Sequence, residues 1–169
     1  MKLLKLKVFP ITREPRNCIV DDEDYDRIVQ ALFKWSKWTL RYDTRIQGRI
    51  NYNGKSRKVY LPRFIMNVLD LPEIYIDHID RDKLNNQKSN LRIATPHQSS
   101  FNRERSRNST GYKGVFEIRE NIFRSAISYE RKFIYLGAFT SSEDAARAYD
   151  KKAKELFGEF ASLNFPSDK

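Results

Sequence analysis

The chain has 169 residues, 32 of them Lys or Arg against 22 Asp or Glu, for a formal net charge of +10. That length suits one domain or two compact units of under about 100 residues each, and the charge calls for a polyanionic partner, nucleic acid first, because basic side chains gain affinity by releasing counterions from phosphates. No run of about 18 apolar residues and no lipidation signature points to a membrane, and the one cysteine, Cys18, excludes an internal disulfide and a zinc site built on paired thiolates.

The apolar residues around Lys2 and Lys5 are too few and too interrupted for a signal peptide, so an intracellular, not secreted, protein is expected. Residues 1–72 alternate short strand-like and helical stretches, an N-terminal region expected to wrap the centre of the chain. Asp21, Asp22, Glu23 and Asp24 precede Ile28, Val29, Leu32 and Phe33 at helical spacing, which puts the carboxylates at a helix N-terminus where they favour its dipole. From Arg49 to Tyr60 two alternating runs flank Asn53-Gly54, a strong hairpin signal. Arg49, Lys55, Arg57 and Lys58 put cations on this ribbon, either on phosphates or facing solvent. Pro62 to Leu69 reads as a short helix with proline in its first turn.

Ile74 to His78 alternates like a strand, residues 80–90 are rich in turn formers, Leu91 to Ala94 is a second short strand, and Pro96 opens a helix. Residues 104–110 form a basic linker after that helix. Arg103, Arg105 and Arg107 are expected to track a DNA backbone there, or the stretch is a plain flexible connector.

Hydrolysing a phosphodiester needs an activated water, charge neutralisation at the phosphoryl oxygens and stabilisation of the departing oxygen. His78 suits the first task and Asp77 can help hold a hard cation through oxygen. Taken singly, each has a plain structural explanation: a lone histidine is usually structural or exposed, and loop Asp and Asn are usually turn formers. Together, Asp77-His78-Ile79-Asp80, Asn85-Asn86 and Asn90-Leu91-Arg92-Ile93-Ala94-Thr95 resemble the HNH endonucleases, whose core is the ββα-metal (His-Me finger) fold; here it covers residues 73–103. The resemblance implies that His78 is the general base, that Asn90 is the middle, positioning asparagine, and that Asp77 binds a divalent metal ion. Mg²⁺ is expected first, Mn²⁺ or another divalent ion as alternatives. It also implies 3′-hydroxyl and 5′-phosphate ends.

The family's third signature position, a His or Asn on the helix, falls on Ser99, assigned here as the second metal position. A neutral hydroxyl gives a weaker field. Three arrangements are compatible: Asp77, water and the scissile phosphate hold the ion with Ser99 assisting; neighbouring His97 substitutes; or the site is impaired. The nuclease reading requires Asp77 and His78 open enough, and close enough, to share one phosphate.

Tyr112 to Ile118, Ile122 to Tyr129 and Lys132 to Leu136 read as three antiparallel strands joined at Glu120-Asn121 and Glu130-Arg131. Thr140 or Ser141 caps a helix whose apolar face is Ala145, Ala146, Tyr149, Ala153 and Leu156, and Gly158 ends it. Residues 111–166 resemble the plant ethylene-response-factor (Apetala-two) DNA-binding domain in Tyr112-Lys-Gly-Val115, Phe123-Arg-Ser-Ala-Ile127, Tyr135-Leu-Gly-Ala-Phe139, Glu143-Asp-Ala-Ala-Arg-Ala-Tyr-Asp150 and Leu163-Asn-Phe-Pro166. Carried over residue by residue, the resemblance puts Lys113, Gly114, Phe116, Ile118, Arg124, Ala126, Ser128, Phe133 and Tyr135 on the DNA side. Phe116, Ile118 and Phe133 stand where plant members often have arginine. A sheet face buried against the nuclease portion is the plain structural alternative.

The reading is therefore an α+β protein: a ββα-metal core with its N-terminal region, then a three-stranded antiparallel sheet packed on one helix. Its partner is double-stranded DNA, with no membrane and no small-molecule substrate. The resemblance implies a site-directed, homing-type endonuclease of phage or mobile-element kind, acting in a bacterial cytoplasm if phage-encoded. One such core acts on one strand, so a monomer nicks, and cutting both strands takes a dimer or a second binding event. The alternative is a catalytically impaired DNA-binding protein or regulator on the same scaffold.

Overall fold

The structure, a computed structural model, describes residues 1–9, 16–32, 37–41, 45–103 and 108–166. The chain is mixed α and β, with small, mostly antiparallel sheets and few helices. It divides into two compact units, Met1–Pro96 and His97–Lys169.

In the first unit β1 (Lys2–Phe9) lies between β2 (Arg16–Val20), antiparallel, and β3 (Thr39–Arg41), parallel. The sheet continues antiparallel through β4 (Arg45–Tyr52) and β5 (Lys55–Tyr60). Between the last two, Asn53 and Gly54 have φ of 50° and 77°. Both central residues are thus left-handed, as the type I′ turn demands, and the Asn-Gly hairpin forms where the sequence placed it. Cys18, Val20, Ile28, Leu40, Ile50, Leu61 and Ile65 make a dry core around Trp38, whose indole donates to the Ile28 carbonyl at 3.1 Å. Burial pushes the Cys18 thiol up to about 12, so this cysteine is a core residue with no thiolate chemistry at neutral pH.

Two helices flank the sheet, α1 (Asp22–Gln30) and α2 (Leu61–Ile65). The second is shorter than the stretch to Leu69 that the sequence suggested. Asn67 turns left-handed at φ 56°, and the Arg63 guanidinium gathers the carbonyls of Val68, Leu71 and Ile74, so the chain coils around one side chain instead of continuing the helix.

A separate two-stranded sheet pairs β6 (Tyr75–His78) with β7 (Leu91–Ala94), antiparallel, with Asp77 opposite Arg92 and His78 opposite Leu91. The N-terminal region fastens the loop between these strands. The Ile19 amide donates to Leu84 O at 2.7 Å and the Asn86 amide to Ile19 O at 2.8 Å. The Asp21 carboxylate accepts from the Lys88 amide at 2.8 Å and from Gln87 at 3.1 Å. The Lys88 ammonium sits 2.7 Å from Glu23 and 3.1 Å from Asp24. The acidic stretch does occupy the first turn of α1, but Asp21 makes no capping bond; the stretch also ties down the β6–β7 loop.

In the second unit β8 (Val115–Arg119), β9 (Ile122–Tyr129) and β10 (Lys132–Phe139) form an antiparallel meander in the order β10-β9-β8. Its turns use left-handed Asn121, Glu130 and Arg131. Behind it runs α4 (Ser142–Phe157), with the Ser141 hydroxyl accepting from the Asp144 amide at 3.3 Å and Gly158 closing the end. Ala145, Ala146, Tyr149 and Ala153 let the helix lie close against Val115 and Ile127. The C-terminal Leu163-Asn164-Phe165 stretch is stitched down by Asp150, buried at 7% exposure, whose carboxylate accepts from the amides of Asn164 and Phe165 and from the Asn164 side chain. Asn164 in turn bonds both backbone groups of Lys113. Among the described residues no helix is long and apolar enough to cross a membrane.

Candidate functional site

His78 ends β6, and the loop beyond it is built almost wholly from side-chain hydrogen bonds. Asn90 accepts from the Asp80 amide at 3.0 Å and donates to the Asp80 carboxylate and to Asn85 O, both at 2.8 Å. Asp80 also receives the Asp82 amide at 2.8 Å and the Asn85 amide group at 2.7 Å. These Asx bonds replace a regular turn and fix where the strand end points. Asn90 therefore organises the loop through Asp80 and Asn85, and the ring of His78 is met by a different residue. Asn86, fully buried, places Oδ1 3.3 Å from His78 Nε2 and donates its amide group to Lys83 O at 3.0 Å. The second asparagine of the Asn85-Asn86 pair was part of the motif, but only the cross-strand geometry shows that it contacts the imidazole.

Burial, and then the neighbouring Lys83 charge, hold the His78 imidazole below its ordinary 6.5, outweighing the opposite pull of Asn86, Asp80 and Asp77. The ring is thus neutral at pH 7, the form that accepts a proton. Asp77 is bound by Arg92 across the strands, with Nη2 at 2.8 Å and Nε at 3.1 Å from the same carboxylate oxygen. Asp77 and His78 are 3% and 4% exposed. This departs from the openness the sequence reading required: strand pairing places Asp77 under Arg92, and the loop closes over His78. His78 nevertheless forms part of the wall of a cleft of about 600 Å³ that Lys58, Lys83, Tyr60 and Tyr75 also line. Neither lysine has an ion-pair or hydrogen-bond partner for its ammonium among the described residues, so this wall offers two cations beside a neutral imidazole.

Among the described residues no three His, Cys, Asp or Glu side chains come together as a metal cluster. A magnesium-type ion asks for only one or two carboxylates and takes water and phosphate oxygens for the rest. Asp77 supplies one such carboxylate, but it is buried and held by Arg92, so a hydrated ion would reach it only with that ion pair opened. Ser99, half-buried, sits on α3 (Pro96–Phe101), which beyond Pro96 belongs to the second unit. His97 is engaged otherwise: its ring packs edge-on to Phe101 at 4.6 Å and lies 6.4 Å from Tyr129, within an aromatic group that includes Phe157.

The expected DNA-facing residues divide into two groups. Phe116, Ile118, Ser128, Phe133 and Tyr135 are exposed on the outer face of the meander, and Arg124 stacks its guanidinium over Phe116 and Phe133 at 5.4 and 5.8 Å. Arg49 and Lys58 are exposed on the β4–β5 ribbon, and Arg103 is exposed after α3. Three others have structural work. The Lys113 ammonium caps the end of α3, at 3.2 Å from Phe101 O and 3.3 Å from Arg103 O. Gly114, at φ 75°, faces Tyr149 so closely that a Cβ would lie 2.0 Å from the ring. Arg57 holds Asp70 and Leu69 O, each at 2.6 Å, over the ring of Tyr52. Ala126 is buried. Arg105 and Arg107 lie outside the described residues.

No family model matches the chain. It is 42% identical over 113 residues to a protein named as an uncharacterized HNH endonuclease of Acanthamoeba polyphaga mimivirus, covering 63% of this chain and 58% of that relative. It is 35% identical over 89 residues to Protein 3.8 of Escherichia phage T7, covering 52% of this chain and 73% of the phage protein. It is 46% identical over 57 residues to dehydration-responsive element-binding protein 2E of Arabidopsis thaliana, covering 33% of this chain and 23% of the plant protein. The chain thus spans less than two thirds of both the mimivirus and the plant relative.

Proposed function

Because the chain belongs to the family of Protein 3.8 of Escherichia phage T7, and is also similar to a mimivirus protein named as an HNH endonuclease, we propose that it is a metal-dependent DNA endonuclease of the homing type whose second unit positions it on duplex DNA. The observation that carries this reading is the place of the His78 imidazole in the wall of a cleft it shares with Lys58 and Lys83. A scissile phosphate seated there has a base on one side and ammonium groups to offset its charge. His78 takes the proton from the attacking water; Asn86 holds the ring; Asn90 keeps the strand end in place. Asp77 would hold the divalent ion, Mg²⁺ first, and the ion would supply Lewis-acid stabilisation of the phosphoryl and leaving oxygens. The products are a 3′-hydroxyl and a 5′-phosphate, and one core nicks one strand.

A supercoiled plasmid carrying the cognate site, incubated with the full chain in Mg²⁺ or Mn²⁺, is expected to give open circles, and EDTA to prevent them. Intact supercoils in both metals, with DNA still bound, would sink the nuclease reading. That result is what the second reading predicts: a DNA-binding protein that does not cut, favoured by the burial of Asp77 beneath Arg92.

Lys83 was not singled out from the sequence, where it reads as one turn residue among several. Its place beside His78 gives it a role as counter-charge to the phosphate in the transition state. Lys83→Met is expected to slow cleavage of bound DNA on the order of 10²-fold, with Lys83→Arg recovering part of the loss. Equal losses in binding and in single-turnover cleavage rate would reassign it to general phosphate affinity.

A further inference from the structure

The outer face of the second unit's sheet is unusual for a small antiparallel sheet, where the side turned away from the core is normally polar. Side chains alternate along each strand, and the outward positions here carry Phe116 and Ile118 on β8, Arg124 and Ser128 on β9, and Phe133 and Tyr135 on β10. Phe116, Ile118, Phe133 and Tyr135 are 41%, 48%, 61% and 57% exposed, four of the eleven exposed large hydrophobic side chains among the described residues. Arg124 lies among them. Its guanidinium is stacked over Phe116 and Phe133, its Nε is buried without a hydrogen-bond partner, and no carboxylate pairs with it among the described residues. The two rings flank the guanidinium and hold it within the apolar part of the face.

This inference rests on the DNA-binding reading above. We propose that the face reads a particular base chemistry: one guanine taken by Arg124, flanked by thymines whose C5-methyl groups pack on Phe116 and Phe133. In the major groove guanine is the base that offers two acceptors to a planar guanidinium, and the thymine methyl is the apolar feature of the base edges. Phenyl and aliphatic side chains have no donor for a phosphate or a base acceptor, so they discriminate by apolar contact. The turns around the face carry exposed Arg119, Arg131 and Lys132 together with Glu120 and Glu130, a mixed rim, which leaves the discriminating chemistry to the centre. The net charge of +10 favours duplex DNA as the occupant over a second copy of this basic chain.

The test begins with duplexes selected by the full chain from a random-sequence pool. In the selected duplex each thymine is replaced in turn by deoxyuridine, which removes the methyl and keeps the base pair, and guanine by 7-deazaguanine, which removes the N7 acceptor. Affinity is expected to fall about fourfold for each recognised methyl removed, and at one guanine on 7-deaza substitution. Phe116→Ala and Phe133→Ala, both at exposed positions, are expected to bring the thymine-to-deoxyuridine ratio towards one while binding persists. Equal affinity for the thymine and deoxyuridine duplexes overturns the methyl reading and leaves DNA binding standing. A pool that yields no enriched duplex overturns both.

Discussion

His78→Ala is expected to lower the cleavage rate of bound DNA by about 10²–10⁴-fold, the contribution of a positioned general base, with duplex affinity changed less than twofold. The separation follows from the geometry. The imidazole lines the cleft wall but is 4% exposed, so it adds little contact area to a bound strand. Truncating a buried ring also leaves a cavity, and a loss of fold would mimic a loss of chemistry. His78→Gln fills much of that space and retains a group able to meet Asn86, yet has no basic nitrogen. Single-turnover cleavage by both variants, with circular dichroism alongside, resolves the two causes: Gln as slow as Ala in a folded protein supports the base, whereas Gln at the parental rate removes His78 from the chemistry.

Gly114→Ala is expected to unfold the second unit at temperatures where the first is intact. Residue 114 sits at φ 75°, costly for any residue with a Cβ, and the added methyl would meet the Tyr149 ring at 2.0 Å and Ala126 O at 2.7 Å. Left-handed strain costs roughly 1–2 kcal/mol and overpacking typically 1–3 kcal/mol more, so a penalty of about 3 kcal/mol translates to a fall in Tm of roughly 12–24 °C for a unit of this size. Tyr149→Ala in the same chain relieves only the contact with the ring, leaves the approach to Ala126 O and the left-handed backbone, and empties a buried site, so it is not expected to restore the unit. Hydrogen exchange of amides in β8–β10 measures both; unchanged protection in Gly114→Ala would show that the turn re-forms elsewhere.

These two residues also mark how far the sequence could be read. Local chemistry was legible: Asn53-Gly54 formed its hairpin, Glu130-Arg131 its turn and Ser141 its cap, while the outward placement of Phe116, Phe133 and Tyr135 came from the Apetala-two resemblance. The strand–loop–strand around His78 was legible from Asx residues that bond locally. What stayed hidden were partners set by the fold: the α3 carbonyls that the Lys113 ammonium meets, the Asp70 carboxylate that Arg57 holds, and the Tyr149 ring beside Gly114. Asn86 and Lys83 were passed over for the same reason. An asparagine in a turn-rich loop carries no mark of the ring it will face, and a lysine no mark of the cleft it will line.

The backbone bridge between Ile19 and Leu84–Asn86 bears on how such proteins can be recombined. A shuffled gene that inherits residues 73–96 without their matching first strands would leave the amide of Asn86 and the carbonyl of Leu84 short of their mates, and with them the platform under the imidazole. Junctions near Pro96, where the compact bodies part, conserve every one of those bonds, so grafts between relatives should be spliced there and should carry the amino-terminal strands together with residues 73–96.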